Sequence, residues 1–221
     1  AQSLADFHHD KDNMLSVVVT PKQIYNEFSS GMQDVTAIRD FVKKQYDKED
    51  SKLKYLLLFG DGSFDPKDRI LNNTNYIPTY QSLNSTDPTK SYVTDDYFAL
   101  LDDNEGLFLN DLVDIGVGRF PVSTKQEANT LVDKVKQYYD VNSFGSWRND
   151  VVFIADDGDA NDGNTHMWQA DSLANYVADN HREVNIQKIY LDNYLQESTP
   201  GGPRSEQAQN AINSKIDKGV L

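Results

Sequence analysis

Lys54 to Asp65 reads K-Y-L-L-L-F-G-D-G-S-F-D, and the fold class turns on this stretch. Tyr55 to Phe59 is an unbroken run of five apolar or aromatic residues. Such a run predicts a strand buried on both faces, as in parallel sheets with helices on either side. Gly60 and Gly62 permit a tight exit, so Asp61, Ser63 and Asp65 arrive where the strand ends. Open parallel sheets gather their chemistry at the carboxyl ends of their strands.

Working upstream, Leu15 to Thr20 (L-S-V-V-V-T) is β-branched and predicts a first strand. Pro21 suits the first turn of a short helix to about Phe28. Gly31 breaks it, and Asp34 caps a longer helix to about Tyr46 whose apolar stripe is Val35, Ile38, Phe41, Val42 and Tyr46. With the Tyr55 strand this makes a β-α-β unit, right-handed by default. Ala1 to Asn13 is a polar lead-in. Its His8, His9 and Asp10 have metal-ligand chemistry, but adjacent histidines near a terminus are ordinarily solvated.

Downstream, residues 66–96 are rich in Asn, Thr, Ser and Pro, with a short strand expected at Tyr76 to Tyr80 (Y-I-P-T-Y). So long an irregular stretch belongs on the surface and is commonly functional. Tyr97 to Leu101 and Leu107 to Leu109, separated by D-D-N-E-G, predict a hairpin. Asp114 to Phe120 (D-I-G-V-G-R-F) is a further strand, its glycines suggesting close approach by a neighbour. Lys125 to about Asp140 is an amphipathic helix with Ala128, Leu131, Val132, Val135, Tyr138 and Tyr139 inward. Val141 to Asn149 is the candidate boundary, giving a first α/β subdomain over 1–147 and a second over 148–221.

In the second subdomain Val151 to Ala155 and Ile186 to Leu191 read as strands. Helices are expected from Thr165 to about Asn180, with Met167, Ala170, Leu173, Ala174 and Val177 inward, and from about Ser205 to Lys218. Pro200-Gly201-Gly202-Pro203 interrupts the chain between them. Val220-Leu221 reads as the start of another buried strand, so this subdomain is expected to be incomplete. An unfinished sheet edge favours association between copies. The fold class is α/β, with mostly parallel sheets.

Composition narrows the function. At 221 residues, with 12 Tyr and 10 Phe, the chain has ample core material. A net charge of −14 repels phosphate backbones and anionic membranes, which argues against nucleic-acid binding. No apolar run approaches a membrane span, and none heads the sequence as a signal peptide. With no cysteine there is neither a disulfide nor a thiol nucleophile within these residues.

Asp61, Arg119 and the pair Asp156/Asp157 follow predicted parallel strands and would share one sheet edge if those strands are neighbours. Such residues more often cap helices and turns. Ser63 in G-D-G-S lacks the G-x-S-x-G elbow, and no phosphate-binding loop is present. His166 and His181 have no metal-ligand spacing. Asp156, Asp157, Asp159, Asn161 and Asp162 invite calcium without matching an EF-hand, and Asn110, Asp111 and Asp114 form a second oxygen-rich cluster. For both clusters a solvated acidic loop is the plainer explanation.

Y-L-L-L-F-G-D-G-S-F-D, Y-I-P-T-Y, V-T-D-D-Y-F, D-I-G-V-G-R-F-P-V and W-R-N-D-V-V-F-I-A-D-D-G, in this order, resemble the gingipain family of cysteine peptidases. Within it the likeness is greatest to PorU-type sortases of the type IX secretion system in Bacteroidetes. The resemblance implies a three-layer, caspase-like α/β/α fold of two subdomains and an extracellular or outer-membrane cell-surface location. It also implies protein or peptide substrates and a Cys-His dyad, the histidine after the strand that begins at Val220 and the cysteine after the next. No catalytic residue is therefore assigned here, and these residues alone are expected to be inactive. The region matching the floor of the gingipain P1 pocket, about Asn164 to His166, has no carboxylate, which suits a sortase better than an Arg- or Lys-specific peptidase. A structural calcium is implied at Asn110 and Asp114. The rival is a non-catalytic surface binding or adhesion module on the same fold; a second rival, a small-molecule binding α/β domain, requires a pocket at the Asp61 edge.

Overall fold

The computed structural model describes residues 1–84, 86–87, 89–106, 111–158 and 163–220. The chain divides into two compact units, Ala1–Tyr138 and Tyr139–Leu221.

The first unit begins with α1 (Gln2–Asp12), a helix where a polar lead-in was expected; it is anchored by Leu4, buried to 5% exposure. α2 (Pro21–Phe28) starts at a capping box, in which Thr20 and Gln23 satisfy each other's backbone N–H groups. α3 (Val35–Tyr46) starts at Asp34, whose carboxylate accepts the Thr36 N–H at 2.8 Å. Ala37, Ile38 and Val42 on α3 are buried, as its periodicity requires. β1 (Tyr55–Phe59) pairs with the later strand Gly116–Phe120 in parallel, Tyr55 opposite Gly116 and Phe59 opposite Phe120. Between them β2 (Tyr80–Gln81) and β3 (Val93–Thr94) form a short antiparallel pair, and Gly116–Phe120 is β4. α4 (Lys125–Tyr138) closes the unit.

Leu58 packs with Ile24, Ala37, Ile38, Tyr97 and Phe98, and Leu56 contributes to both core clusters. The opposite face of β1 differs from expectation: Tyr55 is 64% and Leu57 41% exposed. Both-face burial fails because, among the described residues, β1 pairs with β4 alone, and the core lies on the Leu56/Leu58 side. Leu15 to Thr20 is also not a strand; Leu15 is 87% and Val17 78% exposed. Its β-branched residues favour extended backbone, but a ladder needs a partner. The expected Tyr97 hairpin strand is instead a 3-10 turn over Asp96–Ala99, which buries Tyr97, Phe98 and Ala99 in the core; Leu107 to Leu109 lies outside the described residues.

The second unit holds β5 (Asp150–Ala155), α5 (Thr165–Asn180), β6 (Asn185–Tyr190), the hairpin of β7 (Glu197–Thr199) and β8 (Gly202–Arg204), and α6 (Glu206–Lys218). β5 and β6 run parallel, Asp150 opposite Asn185 and Ala155 opposite Tyr190. Within the Pro-Gly-Gly-Pro interruption, Pro200 and Gly201 make the turn of the β7–β8 hairpin and Gly202 and Pro203 begin β8. Ala174, Ile189, Tyr190 and Ala208 are buried, whereas Leu173, expected inward, is 59% exposed. Val220 is not in a strand, and Leu221 lies outside the described residues.

Candidate functional site

Both parallel pairs bring polar side chains to their carboxyl ends, in separate sheets. Asp61 and Arg119 therefore share one edge, and Asp156 and Asp157 belong to the other.

At the first edge Arg119, opposite Leu58 in the ladder, turns its guanidinium into the loops. Its Nε and Nη2 donate to both carboxylate oxygens of Asp95 at 2.8 and 2.7 Å. Nη1 donates to the carbonyls of Gly60 and Ile77 at 2.9 and 2.8 Å, and Nη2 reaches the Pro78 carbonyl at 3.3 Å. The planar fork thus joins the β1 exit, the strand-poor loop and the turn before Tyr97. Asp61 plays a similar part: its carboxylate accepts the hydroxyls of Thr74 at 2.5 Å and Ser123 at 3.2 Å. Ser63 Oγ accepts the Asp65 N–H at 3.1 Å. These groups are engaged in holding loops. Gly62 is required here, since a Cβ would lie 2.6 Å from Thr79 Cγ2.

Asp65 organises the next loop and is only 2% exposed. It accepts the N–H groups of Lys67 at 3.3 Å and Ile70 at 2.9 Å, the N–H of Arg69, and Arg69 Nε at 3.2 Å. Burial opposes its ionisation, but the Ile70 and Arg69 backbone donors, the Arg69 guanidinium and the Lys67 N–H hold the carboxyl below the ordinary carboxylate range.

A second cluster lies beside the buried 3-10 turn. Asp102, Glu105 and Asp114 each bring a carboxylate oxygen within 4.8 Å of the others. Asp114 is fixed by accepting the Leu101 N–H at 2.6 Å, and Glu105 by accepting the Asp102 N–H at 3.2 Å. Lys43 is directed elsewhere, to Asp47 and Asp103, both at 3.2 Å. The Asp114 carboxylate, then burial, then Asp102 push the Tyr46 phenol above its ordinary value, a sign of concentrated negative potential. Hard, charged oxygen donors of this kind fit calcium. Of the two expected ligands, Asp114 is in this cluster and Asn110 lies outside the described residues. Asp111 donates no oxygen to it; its carboxylate accepts the Gly106 N–H at 2.8 Å. Asp102 and Glu105 carry no ligand signal in the sequence, because D-D-N-E-G reads as a turn.

At the second edge Asp156 borders an apolar groove formed with Ile154, Ala155, Ile189, Ala208 and Ile212. Asp157 accepts Gln196 Nε2 at 2.8 Å. The remainder of that acidic run, Asp159, Asn161 and Asp162, lies outside the described residues. Asn164 precedes α5 without a side-chain capping bond. His8 is paired with Asp12 at 2.6 Å on α1 and His181 with Glu183 at 3.1 Å, so neither gathers a ligand set.

The model of peptidase family C25 matches residues 1–221. The chain belongs to peptidase family C25. Among solved structures, dimeric latent PorU from Porphyromonas gingivalis is 36% identical over 66% of this chain, with a TM-score of 0.55. The complex of Porphyromonas gingivalis RgpB pro- and mature domains is 21% identical over 85%, with a TM-score of 0.57. The Arg-specific cysteine proteinase gingipain R is 20% identical over 98%, with a TM-score of 0.62. No curated protein gave a match. The C25 chain spans 15%, 38% and 41% of those three structures' lengths. Its α/β fold is that of the gingipains, and none of its 221 residues is a cysteine. Among the described residues no helix is long and apolar enough to cross a membrane.

Proposed function

We propose that this chain is scaffold from the catalytic region of a gingipain-like cysteine endopeptidase or sortase, one that acts on secreted proteins at the cell surface. The observation that carries the proposal is a C25 match over every residue of a chain without cysteine. A thiolate needs an imidazole nearby to be populated and to protonate the leaving amine. Parallel strands ending at one edge hold such a pair rigidly, and β5 and β6 supply a parallel edge with a groove beside it. The dyad is assigned to residues outside these 221, and the β5–β6 groove to one wall of the substrate cleft. Self-association through the open edge of that sheet is part of the same proposal.

We further assign a structural calcium to Asp114 with Asp102 and Glu105, all on backbone already pinned by hydrogen bonds. Its chemistry would be to neutralise three converging carboxylates. Peptidase function is tested by incubating the purified chain, and a longer polypeptide of the same protein, with denatured protein substrate. Turnover confined to the longer polypeptide and blocked by iodoacetamide supports the proposal. Cysteine-independent turnover, or none from the longer form, overturns it.

A further inference from the structure

α5 carries apolar side chains on both of its faces. Ala174 is fully buried, with Met167, Ala170 and Val177 half-buried beside it. On the opposite side Trp168 is 69%, Leu173 59% and Tyr176 61% exposed, with Gln169, Ser172 and Asn180 exposed among them. A helix apolar all round is ordinarily covered all round. Charge is sparse as well. The 16 residues of α5 include no Lys, Arg or Glu, and of the two aspartates Asp171 is held by Lys188 at 2.7 Å, leaving Asp179. Exposed aromatic rings with few charges between them are the composition of an interface core.

The two ends of α5 point to its occupant. Its first turn has no acidic residue, Asn164 gives it no side-chain cap, and its last turn has no basic residue. Asp179 stands in that last turn, where the helix dipole is already negative. α3 and α6 are built the other way, capped by Asp34 and Ser205 and ending in lysines. A second α5 laid antiparallel corrects both ends at once. With the pair centred between Ser172 and Leu173, Asp179 of each copy falls beside Thr165 and His166 at the positive end of the other. The same register sets Trp168 beside the second copy's Tyr176. The exposed parts of Trp168, Leu173 and Tyr176 amount to roughly 400 Å² per copy. With the polar residues among them, a two-copy contact covers about 1,000–1,200 Å², the lower end of specific interfaces. We propose that the outer face of α5 is a homodimer interface, in which two copies pair their α5 helices antiparallel. Trp168 and Tyr176 are the anchors, and Asp179 faces the partner's helix start. This goes beyond the peptidase proposal and uses a helix face, distinct from the open edge of the β5–β6 sheet.

Sedimentation equilibrium of the full chain is expected to show a reversible monomer–dimer equilibrium with a Kd in the micromolar range, as a contact of this size gives. Trp168→Ser combined with Tyr176→Ser should weaken it by at least about tenfold with an unchanged circular dichroism spectrum, since both side chains are exposed. Asp179→Lys separates the antiparallel pair from a general apolar contact. Lysine suits the end of an isolated helix, so the dilute chain should melt no lower, yet dimerisation should weaken. The chain has no cysteine, so Ser172→Cys alone, near the two-fold axis, should be joined into a dimer by a short bismaleimide. Ser214→Cys, exposed on α6, should not. A chain that stays monomeric well above micromolar concentration overturns the proposal. So does dimerisation that Trp168→Ser/Tyr176→Ser or Asp179→Lys leaves unchanged, or equal cross-linking at both cysteines. Association through the open sheet edge would survive both α5 variants, and none of these readouts depends on peptidase turnover, so the separate proposals fail separately.

Discussion

Replacing Arg119 by Met should loosen the first unit more than any other single surface-to-core substitution at the β1 edge. Arg119 is 11% and Asp95 23% exposed at the side chain, and the pair is bidentate at 2.7 and 2.8 Å. The same guanidinium satisfies three backbone carbonyls. Met fills similar volume but strands a largely buried carboxylate, a change that costs about 3–5 kcal/mol. For a unit of this size that is a fall of roughly 10–20 °C in its melting temperature. Both tryptophans, Trp147 and Trp168, lie in the second unit, so tryptophan emission is the wrong probe. Calorimetry, with amide exchange across residues 60–78, reports on the right region. Asp95→Asn removes the stranded charge, so Arg119→Met/Asp95→Asn should lose less than the sum of the single losses, with a coupling of about 1–3 kcal/mol. Strict additivity, or exchange at 60–78 unchanged by Arg119→Met, would show that this arginine does not hold the loops together.

Other expectations concern single groups. Burial, then the charge of Asp34, pushes the Tyr25 phenol up to about 12 from 10.0, and its hydroxyl has no hydrogen-bond partner among the described residues. A raised folded value favours the neutral form, so this contribution is intact below pH 10 and lost as pH rises through about 12. Tyr25→Phe should therefore leave neutral-pH stability within about 1 kcal/mol and remove the latest-titrating tyrosinate absorbance. Asp65 has a depressed folded value, so its contribution is present above the ordinary carboxylate value of 3.8 and lost as pH falls through the lower folded value. Asp65→Asn should shift the acid unfolding midpoint upward relative to the native chain, as read by circular dichroism; an unchanged midpoint would remove Asp65 as a loop anchor. Excess calcium should raise the melting temperature and lower the Tyr46 titration toward its ordinary value, and Asp114→Asn should abolish both effects. Identical melting in calcium and in chelator would eliminate the proposed ion.

The parallel core was legible because Tyr55–Phe59 is a short apolar run ending at Gly60, and Gly116–Phe120 alternates glycine with Val117 and Arg119 and ends at Pro121. The alternating glycines of β4 also carried information: a Cβ on Gly116 would lie 2.9 Å from the Tyr55 ring, although Gly118 has nothing within 4 Å. Helix starts at Thr20 and Asp34 were readable because capping is local chemistry. What failed was non-local. Leu15–Thr20 has the propensity of a strand but no ladder partner among the described residues, and Tyr97 and Phe98 are drawn into a buried turn by packing against Ile38 and Leu58, and Ala99 by packing against Val42 and Ile115. The role of Asp95 was hidden for the same reason, since Arg119 lies 24 residues away, whereas the Asp65 donors are sequence neighbours in a loop of no fixed motif. The acidic triad came from a turn sequence folding back on Asp114, a juxtaposition that spacing alone does not reveal.

The most direct measurement compares this chain with a longer polypeptide of the same protein on one protein substrate, before and after treatment with iodoacetamide. The expected result is no cleavage or transpeptidation by the 221-residue chain, and thiol-dependent turnover by the longer form. Turnover by the cysteine-free chain itself, persisting through a control for contaminating protease, would contradict the assignment of these residues as scaffold.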